Sequence, residues 1–141
     1  MRAIRGATTV SCDCAEEIRS AVGELLCKIK EENSLSYSDI VCILLSNTSD
    51  IVSFYPAKAA REAGFSSCAL YSSAEPEIAG ALPLCIRVMV LAEGEGAAKH
   101  VYLRGAANLR KDLKKFAIAL DGPSGSGKST VAKRLAEEFD I

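Results

Sequence analysis

Apolar positions recur along this chain with two different periods, and the changes of period mark its elements. Arg2 to Val10 alternates around small and β-branched residues and reads as a strand. Beyond it, Ile18, Val22, Leu25, Leu26 and Ile29 recur at helical spacing, which predicts a helix with one apolar face through about Glu32. Asp13 stands three residues before Glu16 just ahead of that stripe, the spacing of a capping pair. Ile40 to Leu45 is a continuous apolar run of strand length, the pattern of a central strand buried on both faces. Pro56 opens a short helix, Ala57 to Glu62, and Gly64 is placed to end it. Ser67 to Ser72 reads as a strand, and Ser73 to Pro83, with two prolines and a glycine, as loop with at most a helical turn. Leu84 to Leu91 carries the strongest strand pattern in the chain, and Lys99 to Leu103 predicts another. Strands interleaved with two helices make an α/β or α+β sheet protein.

Composition narrows what such a protein does. The 141 residues suffice for one well-buried core and are too few for two ordinary domains. A net charge of −1 supplies no electrostatic reason to bind nucleic acid or a membrane surface. No apolar run approaches the roughly 20 residues of a spanning helix, and the N-terminus lacks a signal-peptide pattern, so a cytoplasmic location is expected. Most of the six cysteines sit inside apolar runs, Cys42 in Ile-Val-Cys-Ile-Leu-Leu and Cys85 beside Ile86, which predicts buried reduced thiols. Cys12 and Cys14 form C-x-C, but no second pair stands at finger spacing and His100 is the one histidine, so no metal site is expected. The character of the chain changes after Leu113. Lys111 to Lys115 is a charged link, which divides residues 1–115 from a glycine-rich segment, 116–141.

Arginine placement is the anomaly. Arg87 lies inside Cys85-Ile86-Arg87-Val88-Met89-Val90, where a charge is costly unless paired and hydrogen-bonded. A structural salt bridge, an edge strand facing water and a ligand site all remain open. Arg5 raises the same question among smaller neighbours. Lys58 and Arg61, three apart on the short helix, share a face, which ordinarily means solvated charge. Basic side chains on separate strands and a helix start suit a small polyanion, because a guanidinium fork matches carboxylate or phosphate. Patterns alone stop at an anion-binding sheet domain.

Four segments carry a resemblance. Arg5-Gly6-Ala7-Thr8-Thr9-Val10, Tyr55-Pro56-Ala57-Lys58-Ala59-Ala60-Arg61, Cys85-Ile86-Arg87-Val88-Met89 and His100-Val101-Tyr102-Leu103 resemble, in order and near spacing, the signature segments of the small trimeric chorismate mutases. The resemblance implies an α+β fold, a mixed β-sheet with two helices forming a trimeric pseudo-α/β-barrel with active sites between subunits. It implies a cofactor-free isomerase that converts chorismate to prephenate by a Claisen rearrangement, through restraint and charge stabilisation. On the matching positions, Arg87 stands beside the ether oxygen, and Arg5 binds a substrate carboxylate and approaches the same oxygen. Glu75 engages the substrate hydroxyl, and Tyr102 hydrogen-bonds a carboxylate. Lys58 and Arg61 stand at the pocket mouth, Tyr55 and Ala57 line it, and Leu109 and Arg110 belong to a mobile segment that covers it. Ser72 departs from the family's cysteine but still donates and accepts, so activity is expected to be retained. Tyr55 replaces an aromatic without a hydroxyl.

The last segment holds Gly122-Pro-Ser-Gly-Ser-Gly127-Lys128-Ser129, a phosphate-binding loop behind an apolar strand and ahead of a helical stretch. Phe116 to Ile141 resembles the start of cytidylate kinases. In that pattern Gly122 and Gly127 shape the cradle, Lys128 meets the outer phosphates and Ser129 meets magnesium. Only 12 residues follow Ser129, so the segment reads as an incomplete P-loop remnant or a fragment of a longer fusion, with ATP bound weakly if at all. Two other functions stay in view, a trimeric anion-binding or regulatory module without catalysis and nucleotide binding through this segment.

Overall fold

The computed structural model describes residues 1–109. The chain divides into two units, Met1–Ala107 and Asn108–Ile141. The first unit contains β1 (Arg2–Thr9), α1 (Ala15–Glu32), β2 (Ile40–Asn47), α2 (Pro56–Glu62), β3 (Ala69–Ala74), β4 (Cys85–Ala92) and β5 (Val101–Tyr102). The strands form one mixed sheet in the order β3-β2-β4-β1-β5. β4 runs antiparallel to both neighbours, while β3 and β5 lie parallel to β2 and β1.

The helical stripe read from the sequence is the buried face of α1: Ile18, Ala21, Val22, Leu25, Leu26 and Ile29 are all buried. They pack on Ile4, Ile43, Leu45, Val88 and Val90 of the sheet. Contact is close at Gly6, where an added Cβ would stand 2.7 Å from Ile29 Cδ1 and 3.1 Å from Leu25 Cδ1. α2 begins at Pro56, whose fixed φ and missing N–H suit a first helical turn, and the chain leaves it through Gly64 at φ +105°.

Five expectations need correction. β2 is not buried on both faces. Ile40, Ile43 and Leu45 are buried, but Val41 and Leu44 are 43% and 42% exposed, because both helices lie against one side of the sheet. Asp13 and Glu16 do not cap α1, whose N-cap is Cys14 without a side-chain hydrogen bond. The Asp13 carboxylate instead accepts the backbone N–H groups of Val52 and Ser53 and the Ser53 hydroxyl. Of the cysteines only Cys85 is buried; Cys12 and Cys27 are exposed and Cys14, Cys42 and Cys68 are intermediate. Burial pushes the Cys85 thiol up. The last strand is shorter than Lys99–Leu103 because buried Asn33 claims both backbone groups of Lys99, accepting its N–H at 2.8 Å and donating to its carbonyl at 2.9 Å. β3 also lies two residues later than the pattern placed it, at Ala69–Ala74.

Two carboxylates tie loops to the frame. Asp13 holds the turn ahead of α2, and Asp50 accepts the Thr48 hydroxyl at 2.5 Å and the Leu84 N–H at 2.8 Å. The Ser53 hydroxyl leads in holding Asp13 below its ordinary value, and the Thr48 hydroxyl does the same for Asp50. A depressed folded-state value contributes stability above the unfolded aspartate pKa of about 3.9, lost as pH falls through the folded value. The urea midpoint is therefore expected to fall as pH is lowered below about 4, and to fall less steeply in Asp13→Asn and Asp50→Asn. Urea titrations at stepped pH read both slopes.

Candidate active site

Register fixes which side chains share a face. Gly6 faces α1 and pairs with Val88 of β4, so the residues on either side of that pair face away from the helices. Arg87 is one of them. It lies opposite Ala7 of β1 and Ser46 of β2, with Ser73 of β3 beyond Ser46 and Tyr102 of β5 beyond Ala7. Five strands thus contribute one row, Ser73–Ser46–Arg87–Ala7–Tyr102, with Arg87 at its centre. Two residues along β1, Arg5 sits in the next row opposite Met89. The anomaly of a charge in an apolar strand dissolves: Ile86 and Val88 are buried toward the helices, while the Arg87 side chain is 43% exposed on the open face.

Glu75 follows the end of β3, held by its N–H to the Asn47 carbonyl at 3.3 Å. Its Oε1 lies 3.4 Å from Arg87 Nε and accepts the Ser46 hydroxyl. The pair approaches through the inner nitrogen of the guanidinium, at the side of the group nearest the strand. Arg5 is fixed through its backbone, whose N–H donates to His100 Nδ1 at 2.9 Å. That contact makes Nδ1 the acceptor nitrogen of the ring. Arg5, Glu75, Arg87 and Tyr102, chosen from sequence, are therefore brought to one face. Ser46 was missed: a serine near a strand end carries no signal until register sets it beside Arg87.

The remaining positions lie elsewhere. Tyr55 precedes α2, and Ala57, Lys58 and Arg61 are on it, in the helical layer against α1. Tyr55, Lys58 and Arg61 are exposed, and Lys58 Nζ stands 5.4 Å from the Phe54 ring centre. Ser72 is exposed on edge strand β3, paired with Leu45, whose side chain points to the helical side. It shares a side of the sheet with α2, not with Arg87. Leu109 is the last described residue; Arg110 and the loop residues Gly122, Gly127, Lys128 and Ser129 lie outside the described residues.

A cleft of about 370 Å³ lies at the far end of β1 and β4, lined by Arg2, Asn33, Asp39, Glu93 and Lys99 among others. A second, of about 140 Å³, lies between Thr48–Asp50 and Pro76–Pro83. Neither is lined by Arg5, Glu75, Arg87 or Tyr102.

A mixed α+β sheet presents two arginines, a tyrosine and a carboxylate from adjoining rows on the face away from its helices, an arrangement whose chemistry suits a small anion. The chorismate mutase type I family matches residues 1–113, and the chain belongs to that family. Chorismate mutase AroH of Thermus thermophilus is 41% identical over 117 residues, covering 80% of this chain and 96% of the relative. The solved chorismate mutase of Clostridium thermocellum superposes with a TM-score of 0.73 at 42% identity, covering 75% of this chain and 97% of that one. Residues 118–141 match the cytidylate kinase family. There the cytidylate kinase of Exiguobacterium sibiricum is 64% identical over 28 residues, 13% of its own length. No helix among the described residues is long and apolar enough to cross a membrane.

Proposed function

We propose that this chain is a chorismate mutase that isomerises chorismate to prephenate on the open face of the sheet, in the cytoplasmic synthesis of aromatic amino acids. The observation that carries the site is the Arg87–Glu75–Ser46 cluster at the sheet's centre, flanked by Arg5 and Tyr102. In the rearrangement one C–O bond breaks while one C–C bond forms within a single molecule. Negative charge gathers on the ether oxygen and positive charge on the ring. Catalysis then reduces to holding the reactive fold and meeting that charge with groups already in place. The outer edge of Arg87 donates to the ether oxygen. Arg5 and Tyr102 take the carboxylates, and Glu75 meets the substrate hydroxyl and the developing positive charge. Ser46 and Arg87 hold the Glu75 carboxylate from two sides, so it need not reorganise as charge develops.

The chain is read as a homotrimer. Tyr55, Lys58, Arg61 and Ser72 lie on the side of the sheet opposite Arg87, so a neighbouring copy has to bring its own set over the open face. Exposed Leu44 and Tyr71 on that face provide apolar surface for such a contact. Leu109 and Arg110 cover the substrate. Residues 116–141, with Gly122, Gly127, Lys128 and Ser129, are read as a phosphate-binding segment that takes no part in the rearrangement.

Loss of chorismate absorbance over the buffer rate, with prephenate as the product, is the test; a rate equal to buffer would leave only an anion-binding module. Ser46→Ala is expected to lower kcat about tenfold with little change in KM, the loss of one hydrogen bond to a charged group. Steady-state kinetics of the variant check both values.

A further inference from the structure

The turn between β1 and α1 holds a pair of reactive side chains that the rearrangement does not use. The Cys14 N–H donates back to the Cys12 carbonyl at 3.0 Å, closing a three-residue turn with Asp13 at its apex. The two flanking side chains are thereby placed side by side, and their sulfurs stand 2.7 Å apart. Direct contact of the two sulfurs is the side-by-side placement that a disulfide requires.

The turn is fixed at every point. Its apex is held by the three bonds from Val52 and Ser53 to the Asp13 carboxylate. Ahead of it, Ser11 donates its N–H to Glu17 Oε1 at 3.3 Å, and behind it Cys14 is the N-cap residue of α1. The entropy of bringing two thiols together has therefore already been lost on folding. Cys12 is exposed, so a small reagent can reach it. Its hydrogen bond with Cys14 is the first cause pushing its thiol up, followed by partial loss of solvent.

We propose that Cys12 and Cys14 form a dithiol–disulfide couple, a modification site that reacts with low-molecular-weight disulfides of the glutathione class and closes into an intrachain disulfide. One cysteine thiolate attacks a sulfur of the small disulfide, forming a mixed disulfide and expelling one small thiolate. The second cysteine then attacks the protein sulfur of that mixed disulfide, forming the Cys12–Cys14 bond and expelling the second small thiolate. The two protons leaving the cysteines pass to the two expelled thiolates. The small disulfide is reduced by two electrons and the protein pair is oxidised by two. Cys85 is buried, and Cys12 differs from the equally exposed Cys27 in having a second sulfur beside it to complete the closure.

The full chain is equilibrated with graded ratios of oxidised to reduced glutathione, blocked with N-ethylmaleimide in urea so that buried thiols also react, and digested with trypsin. The peptide Gly6–Arg19 contains Cys12 and Cys14 and no other cysteine. It is expected to appear lighter by two hydrogens and free of maleimide and glutathione. The ratio needed for half closure should be at least tenfold lower than for the urea-unfolded chain, while Cys27, Cys42, Cys68 and Cys85 still take maleimide. In Cys14→Ser the reaction should stop at a glutathione adduct on Cys12. A wild-type peptide that carries two maleimides at ratios where other cysteines have reacted would overturn the proposal. So would a stable adduct on wild-type Cys12 without closure, or equal ratios for folded and unfolded chain.

Discussion

Arg87→Ala is expected to lower kcat by about 10²- to 10³-fold, the usual cost of removing one preorganised donor to a developing oxyanion. The effect should fall mainly on kcat, because charge on the ether oxygen exists chiefly in the transition state. Folding should be little disturbed, since the Arg87 side chain is 43% exposed and its ion pair with Glu75, at 3.4 Å, is itself partly open to solvent. Equal urea midpoints for the two proteins would attribute the kinetic loss to chemistry. Arg87→Lys should recover only part of the rate. An ammonium keeps the charge, but it cannot hold Glu75 through an inner nitrogen while turning a planar outer edge to substrate. An Arg87→Ala variant with full kcat would remove Arg87 from the mechanism and move the search to Arg5.

Local periodicity made much of this fold legible. The α1 stripe from Ile18 to Ile29 and the cores of β1, β2 and β4 stand where the spacing placed them. What failed was anything decided by a partner distant in sequence. Asp13 has the spacing of a cap, but the turn at Val52 and Ser53 takes its carboxylate, about forty residues away in the chain. β2 reads as buried on both faces because Val41 and Leu44 are apolar, and hydrophobicity alone does not say which side the helices cover. Arg87 was conspicuous as a charge among apolar residues, yet its meaning depended on pairing with Ser46 and Ala7. Ser46 carried no signal for the same reason. Arg104 was also passed over, though it meets Glu17 at 2.7 Å and Ser20 at 3.3 Å on α1 and so fastens the segment after β5.

Arg87→Ala and Arg61→Ala, each nearly inactive alone, are expected to regain activity when unfolded and refolded together. Arg87 is on the open face of the sheet, while Arg61 is on α2 against the opposite face, so one copy of the chain does not bring them to one substrate. If each site joins the open face of one subunit to the α2 side of its neighbour, a mixed assembly contains some sites with both arginines intact. Random mixing of equal amounts makes that fraction about one quarter, because each half of a site is drawn independently from two kinds of chain in a closed ring. Mixed samples should therefore reach about a quarter of the wild-type rate, far above either variant, given losses of the size expected at Arg87. Mixing the folded variants without denaturation should yield the same rise only as fast as subunits exchange. A site completed within one chain would show no rise under either protocol, since every site would then carry one of the two substitutions. The outcome thus turns on geometry rather than on either arginine's chemistry: with Arg87 on the face away from the helices and Arg61 on a helix, activity regained by mixing requires sites shared between copies.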